Sequence, residues 1–221
     1  MFSVVVPLFN EHKNVEPLVD EISFHLKKFK DYEIILINDA SSDKTLKVIN
    51  NIKNNKIKII NNSHNQGQSF STHIGVKNSS YEIIVTIDGD GQNDPVDIPK
   101  LLEHYLSDED IFLVGGIRKT RKDNIIKIVS SKIANYIRSI ILNDNCKDTG
   151  CSLKVFDKNI FLKFPFFDGI HRFLPALFKG YGYKTKFINV SHRKRKYGTS
   201  KYGTMNRLFK GIRDIIKVNK I

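Results

Sequence analysis

The sequence predicts an α/β domain built on a mostly parallel sheet with helices on both faces. Three observations carry that expectation. Continuous apolar runs rich in β-branched residues recur along the chain, as in Val4-Val5-Val6, Ile34-Ile35-Leu36-Ile37 and Ile83-Ile84-Val85. Strands buried on both faces read this way, whereas strands with one wet face alternate. Segments with apolar residues at helical spacing separate the runs. Polar clusters follow directly after them, where open parallel sheets bind their ligands.

Phe2–Pro7 reads as the first strand, and Val15, Leu18, Val19, Ile22 and Leu26 then fall on one helical face. Glu33–Asn38 is the second strand, with a helix near Asp43–Asn51. Lys56–Asn61 is the third strand, followed by a helix from Gln68 to Asn78. Glu82–Ile87 is the fourth, with a helix after Pro95, and Ile111–Gly115 is the fifth. Asp123–Leu142 has a helical stripe of Ile126, Val129, Ile133, Ile137 and Ile140/Ile141, with Lys127, Lys132 and Arg138 on its polar side. The apolar run Leu153–Phe156 comes next, then a helix at Arg172–Lys179 and a strand at Lys184–Val190. His192–Gly203 (HRKRKYGTSKYG) is basic and punctuated by glycine, which suits a mobile loop. The closing segment Met205–Val218 sets Leu208, Ile212, Ile215 and Ile216 against Arg207, Lys210, Arg213 and Lys217. No repeat or linker divides the chain.

The 221 residues carry a net charge of +13, unevenly spread. Residues 1–168 hold 22 basic and 22 acidic side chains, whereas residues 169–221 hold 14 basic ones and a single acid, Asp214. Such asymmetry points to an anionic partner: nucleic acid, anionic lipid or a phosphorylated substrate. Cys146 and Cys151 form neither a disulfide framework nor, with a nearby His/Cys set, a zinc site, so a reducing, cytoplasmic setting is expected. The start MFSVVVPLFN lacks the basic lead and the apolar length of a signal peptide, and no run is long enough to span a bilayer. Dinucleotide-fold and P-loop readings lack their phosphate cradles, GxGxxG and GxxxxGK[ST].

The segment TIDGDGQNDP (86–95) carries the sharpest chemistry. Asp88 and Asp90 are two like charges at a strand end, and such a pair tends to hold a proton unless a cation sits between them. A hard divalent ion removes the repulsion and accepts further oxygens, such as the Gln92 amide and a substrate diphosphate. A solvated turn leading to a helix cap at Asp94-Pro95 accounts for the same residues. Glu11 and Asp39, expected on the same sheet edge, tip the balance toward a site.

Seven blocks, in order, resemble the motifs of family-2 glycosyltransferases: VVVPLFNE (4–11), INDASSDKT (37–45), NQGQS (65–69), TIDGDGQNDP, DTGCSLKVF (148–156), HRFLPALF (171–178) and HRKRKYGTSKYG. They are most similar to the branch of polyprenyl-phosphate mannosyl- and glucosyltransferases that includes dolichol-phosphate mannose synthase. The resemblance runs from Phe2 to about Val218. It implies a single GT-A type, Rossmann-like catalytic domain over 1–203 and a basic amphipathic, membrane-peripheral helix over 204–221. It implies that Pro7, Phe9, Glu11 and Asp39 line the nucleotide site, that Gly67 and Gln68 let the nucleotide pass closely, and that Arg118 reaches the phosphates. Asp88, Asp90 and Gln92 would hold Mg2+ or Mn2+. His192, Arg193, Ser200 and Lys201 would sit on a closing loop over donor and acceptor. At Lys132 this branch often carries arginine; lysine keeps the charge for an acceptor phosphate and loses the bidentate fork.

The activity implied is inverting transfer of a mannose- or glucose-type hexose from GDP- or UDP-hexose to a polyprenyl phosphate. The metal and Arg118 would stabilise the leaving diphosphate. A phosphate monoester, with its second pKa near ~6, is already a nucleophile at neutral pH and needs no general base. Relatives of this fold with hydroxyl acceptors usually carry an acidic pair in the region corresponding to 165–175, where this chain has PFFDGIHRFLP with Asp168 alone. The expected location is the inner face of the cell membrane, held peripherally by an anionic lipid surface or a partner; a homo-oligomer is left open. Transfer to a saccharide hydroxyl in surface polysaccharide synthesis is the alternative acceptor reading. A nucleic-acid-binding module is the remote one, for no base-stacking motif accompanies the charge. Asp168 reads more simply as a turn residue than as a base, His171 as a core histidine, and His64 and His73 as surface residues. Tyr197 and Tyr202 are open between stacking on a ligand and anchoring their loop.

Overall fold

A computed structural model describes residues 1–119, 138–198 and 214–218. Seven strands form one sheet in the order β3-β2-β1-β4-β6-β5-β7. They are β1 (Phe2–Leu8), β2 (Tyr32–Asn38), β3 (Ile57–Asn61), β4 (Ile83–Thr86), β5 (Ile111–Arg118), β6 (Lys154–Asp157) and β7 (Lys184–Val190). β6 runs antiparallel to both β4 and β5, and every other pairing is parallel. The expected mostly parallel α/β sheet is therefore present. The run Leu153–Phe156 supplies its one reversed strand.

The helices are α1 (Val15–Leu26), α2 (Thr45–Asn51), α3 (Gly67–Lys77), α4 (Ile98–Leu106), α5 (Lys158–Lys163) and α6 (Ile170–Gly180). Successive strand residues face opposite ways, so the continuous runs feed two cores. Val4, Val6, Ile34 and Leu36 pack with Leu18, Ile22 and Leu101 on one face. Val5, Ile35 and Ile37 pack with Val76, Phe161, Leu174 and Phe178 on the other. Full burial of an aliphatic or aromatic side chain is worth about 1.5–3 kcal/mol, so the two layers supply the drive for folding. β2 and β3 extend to one side of β1 and β4 to the other, so the strand order reverses at β1. Such a reversal opens a crevice at the strand ends, here those of β1 and β4.

Local signals act as read. Asp94 accepts from the Val96 amide at 3.1 Å and caps the 3-10 turn Pro95–Asp97 that leads into α4. Of the long helical stripe, residues 138–142 are described and are helical. Of the closing basic segment, 214–218 are described: Val218 is buried in the second core, Ile215 packs against it, and Arg172 Nη2 donates to Asp214 Oδ2 at 2.7 Å. The rest of both segments lies outside the described residues.

Gly75 shows how tightly α3 sits on the sheet. A Cβ there would lie 2.6 Å from Val5 Cγ1 and 2.8 Å from Ile37 Cδ1. Overpacking of this kind costs about 1–3 kcal/mol. Denaturant unfolding of Gly75→Ala should show a loss of that size; unchanged stability contradicts this packing of α3 on β1 and β2.

Candidate active site

The polar clusters that follow β1, β2 and β4 meet in one cleft of about 950 Å3, a volume that includes the solvent at its mouth. Pro7, Phe9 and Glu11 line it from the first loop, Asp39 from the second, and Asp88 and Asp90 from the fourth. Gly67 and Gln68 line it from the start of α3. The β4 loop presses on the β1 loop through Gly89, where any Cβ would collide with the Leu8 side chain and lie 3.1 Å from the Pro7 carbonyl.

Asp39 is buried and works on the protein itself. Oδ1 accepts from the Gln66 amide at 2.9 Å and from Asn62 Nδ2 at 2.7 Å, and Oδ2 accepts from the Gly67 amide at 2.8 Å. It thereby fixes the NQGQ turn, where Gly67 takes φ +84°, a conformation that glycine adopts without strain. Gln68 then reaches across, its Nε2 donating to Asp88 Oδ1 at 2.6 Å. On the other side, the Asp88 amide donates to Ser152 Oγ at 3.2 Å, and Ser152 donates to Asn93 Oδ1 at 2.7 Å.

Burial is the main cause that pushes the Asp88 carboxyl up to about 6, and the Asp90 charge adds to it. Ser152, Lys154 and Arg118 pull the other way. Lys154 is a buried lysine on β6, level with Thr86 of β4; burial lowers its pKa, neighbouring Cys151, Cys146, Asp88 and Asp148 oppose that, and its Nζ donates to the Cys151 carbonyl. Arg118 is held as a fork by Asp148, with Nε to Oδ2 at 2.7 Å and Nη2 to Oδ1 at 2.6 Å.

A positive group does stand over the acidic pair, and it is Arg195. Its Nη2 meets Asp90 Oδ2 at 2.5 Å and its Nη1 meets Glu11 Oε1 at 3.2 Å, joining the two walls of the cleft. Glu11 is also held by Asn14 Nδ2 at 2.6 Å. The segment bearing Arg195 is fastened beside the site. His192 bridges Asn93, the Arg193 amide donates to the Gln92 carbonyl at 2.8 Å, and the Arg193 side chain pairs with Glu21 and Asp94.

A model of the family described as glycosyl transferase family 2 matches residues 3–165. The chain belongs to this family. Dodecaprenyl-phosphate galacturonate synthase of Rhizobium johnstonii is 34% identical over 223 residues, covering 98% of this chain and 65% of the relative. Undecaprenyl-phosphate 4-deoxy-4-formamido-L-arabinose transferase of Yersinia pestis is 30% identical over 218 residues, covering 97% of this chain and 66% of the relative. The chain thus spans about two thirds of the length of these relatives, both named for a polyprenyl phosphate. Glucosyl-3-phosphoglycerate synthase of Mycobacterium tuberculosis, solved with Mg2+ and uridine diphosphate, matches with a TM-score of 0.76 at 19% identity, covering 99% of this chain and 77% of that one. Mannosyl-3-phosphoglycerate synthase of Rubrobacter xylanophilus gives 0.75 at 14%, covering 98% and 72%. These two likenesses are of fold, and they agree with the GT-A type architecture expected from the sequence.

Of the residues that the family-2 motifs nominate, Pro7, Phe9, Glu11, Asp39, Gly67, Gln68, Asp88 and Asp90 share the cleft wall. Gln92, Arg118, His192 and Arg193 are not on that wall. Gln92 binds the neighbouring loop through its amide, Nε2 to the Arg193 carbonyl at 3.4 Å. Lys132, Ser200 and Lys201 lie outside the described residues. Sequence reasoning passed over Arg195, Lys154, Ser152 and Asp148, although HRKRKYG and DTGCSLK contain all four.

The donor set fits a divalent ion only in part. Among the described residues, no group of three or more His, Cys, Asp or Glu side chains could hold a metal. Asp88 and Asp90 are two oxygen donors on one wall, one of them desolvated enough to resist charge on its own. That set suits an ion that keeps waters and takes further oxygens from a bound phosphate.

The Asp88 shift has a stability consequence. A carboxyl raised from 3.8 to about 6 on folding keeps, between those values, a proton the unfolded chain has released. Its contribution is present below the unfolded value and is lost as pH rises through about 6. In metal-free denaturant titrations, Asp88→Asn should therefore gain on wild type by about 1–3 kcal/mol between pH 4 and 7. A difference that does not change with pH contradicts the burial of this carboxyl.

Proposed function

We propose that this chain is an inverting, metal-dependent glycosyltransferase that moves a mannose- or glucose-type hexose from a nucleotide-diphospho-sugar to a polyprenyl phosphate. The observation that carries the reading is the cleft itself, with Asp88 and Asp90 on one wall, Glu11 and Asp39 on the other, and Arg195 between them. The nucleoside lies between Phe9 and Asp39, where the turn fixed by Asp39 lets the start of α3 approach it. The diphosphate lies against Asp88 and Asp90. Mg2+ or Mn2+ bound there would neutralise the leaving diphosphate as the glycosidic bond breaks. Gln68 and Ser152 hold Asp88 in place for that contact. Arg118, fixed by Asp148, and the buried Lys154 add positive potential on its protein side.

The acceptor attacks the anomeric carbon from the face opposite the diphosphate, which inverts the configuration. A phosphate monoester does this without a base, and Arg195 carries a guanidinium to the middle of the cleft where an anionic acceptor needs one. The names of the relatives support a polyprenyl phosphate as that acceptor. No helix among the described residues is long and apolar enough to cross a membrane. The basic final quarter of the sequence would hold the chain at the anionic inner leaflet, at ~1 kcal/mol per basic residue near the surface.

A donor panel with Mn2+ and a short polyprenyl phosphate tests the reading. The expected outcome is nucleotide release coupled to a lipid-linked sugar, falling by at least ~100-fold in Asp90→Ala. Product formed only on soluble sugars contradicts the acceptor, and full activity in Asp90→Ala contradicts the role of the acidic pair.

A further inference from the structure

Residues 191–198 run as a strap from one wall of the cleft to the other, and the two ends of the strap are held very differently. The near end is fastened to the β4 side. The Ser191 amide donates to Asp97 Oδ2 at 2.7 Å, the Arg193 amide donates to the Gln92 carbonyl at 2.8 Å, and the Arg193 guanidinium pairs with Glu21 and Asp94 at 2.6 Å each. The far end rests on the β1 side with much less. Asn14 Nδ2 donates to the Tyr197 carbonyl at 3.4 Å, and Lys13 Nζ stands 5.6 Å from the centre of the Tyr197 ring. Lys194, Lys196, Tyr197 and Gly198 are exposed.

Arg195 ties the far end down. Its guanidinium joins Asp90 Oδ2 on one wall to Glu11 Oε1 on the other. An exposed bridge of this kind would contribute little. Here the Asp90 and Glu11 side chains are only 13% and 6% exposed, so the guanidinium answers two largely desolvated carboxylates. Within Asp90 the two oxygens are divided. Oδ1 accepts from the Gln92 amide at 3.0 Å and shapes its own turn, whereas Oδ2 is given to a cation, and that cation is Arg195.

We propose that Arg195 is a built-in substitute for the divalent ion: Arg195 and the ion are alternative partners of Asp90, and the far end of the strap stays down only while Arg195 holds that carboxylate. The inference rests on the metal-dependent reading above and goes beyond it, because it makes a residue of this chain a brake on ion binding. Two cations in contact with one carboxylate oxygen repel each other strongly where water is scarce, so one of them must leave. The bridge from Glu11 to Asp90 also spans the space which that reading gives to the diphosphate, so it has to open before a donor can lie there. The near end is anchored through Arg193, and the far end is left with one long hydrogen bond and a ring contact once Arg195 lets go. The strap therefore turns at Lys194, between the two. A diphosphate supplies the negative charge that receives the released guanidinium.

Calorimetric titration of the whole chain with Mn2+ alone tests the exchange. Arg195→Gln should bind Mn2+ about tenfold tighter than wild type, Arg195→Lys should fall between the two, and the double variant Arg195→Gln with Asp90→Asn should lose the gain. Tryptic cleavage after Lys196, followed by mass spectrometry, reads the strap. Saturating Mn2+ should speed that cut in wild type, and Arg195→Gln should be cut fast with or without the ion. Mn2+ binding to Arg195→Gln that is no tighter than to wild type overturns the proposal, as does a gain that survives in the double variant. Cleavage after Lys196 that ignores Mn2+ in a wild-type chain shown to bind it overturns the release of the strap. Failure of wild type to bind Mn2+ even with UDP or GDP present overturns the metal-dependent reading itself, which separates the two failures.

Discussion

Asp88 and Asp90 stand two residues apart at the end of a buried strand, and the repulsion between their charges organises the groups around them. Burial alone raises the cost of charging Asp88, and its neighbour raises it further. The protein answers with polar contacts from Gln68 and Ser152, with the buried Lys154 and the fixed Arg118 behind, and with Arg195 in front on Asp90. These partners come from α3, β5, β6 and the segment after β7. An acidic pair that needs so many distant partners ties the arrangement of the whole sheet to one site.

The sheet order supplies the geometry. Strands β1 and β4 pair in parallel, so the loops carrying Glu11 and Asp88 leave the same edge side by side. Glycine at 89 allows one loop to rest on the other. The reversed strand β6 returns the chain beside β4, which brings Ser152 and Lys154 under the acidic pair from a segment more than sixty residues away. Asp39 shows the same economy of position: one buried carboxylate shapes the turn that starts α3, and that turn delivers Gln68 to Asp88 and Ser69 to His171.

Much of this was legible in the sequence, for reasons that are physical. Runs such as EIILIN announce strands covered on both faces, and residues that follow strand ends gather at one edge, so Glu11, Asp39 and Asp88 could be assigned to one site. The reversed direction of β6 was not legible, because Leu153–Phe156 is apolar enough for either direction and the pairing is set by tertiary contacts. Arg195 was hidden within HRKRK, where only the fold decides which of several cations reaches the cleft and which, like Arg193, pairs outside it. Lys154 lay in an apolar run, and a buried lysine shows itself only once its neighbours are known. The tie between His171 and Ser69 was not legible, because the two are about a hundred residues apart in the chain.

Under the proposed function, the acidic pair becomes a cation site only when a diphosphate completes it. The most direct test is Mn2+ binding followed by electron paramagnetic resonance, with and without UDP or GDP. The expected result is weak binding of Mn2+ alone, a gain of tenfold or more with the nucleotide, and loss of that gain in Asp88→Asn and Asp90→Asn. Mn2+ affinity that is the same with and without nucleotide, or a gain that survives both substitutions, would contradict it.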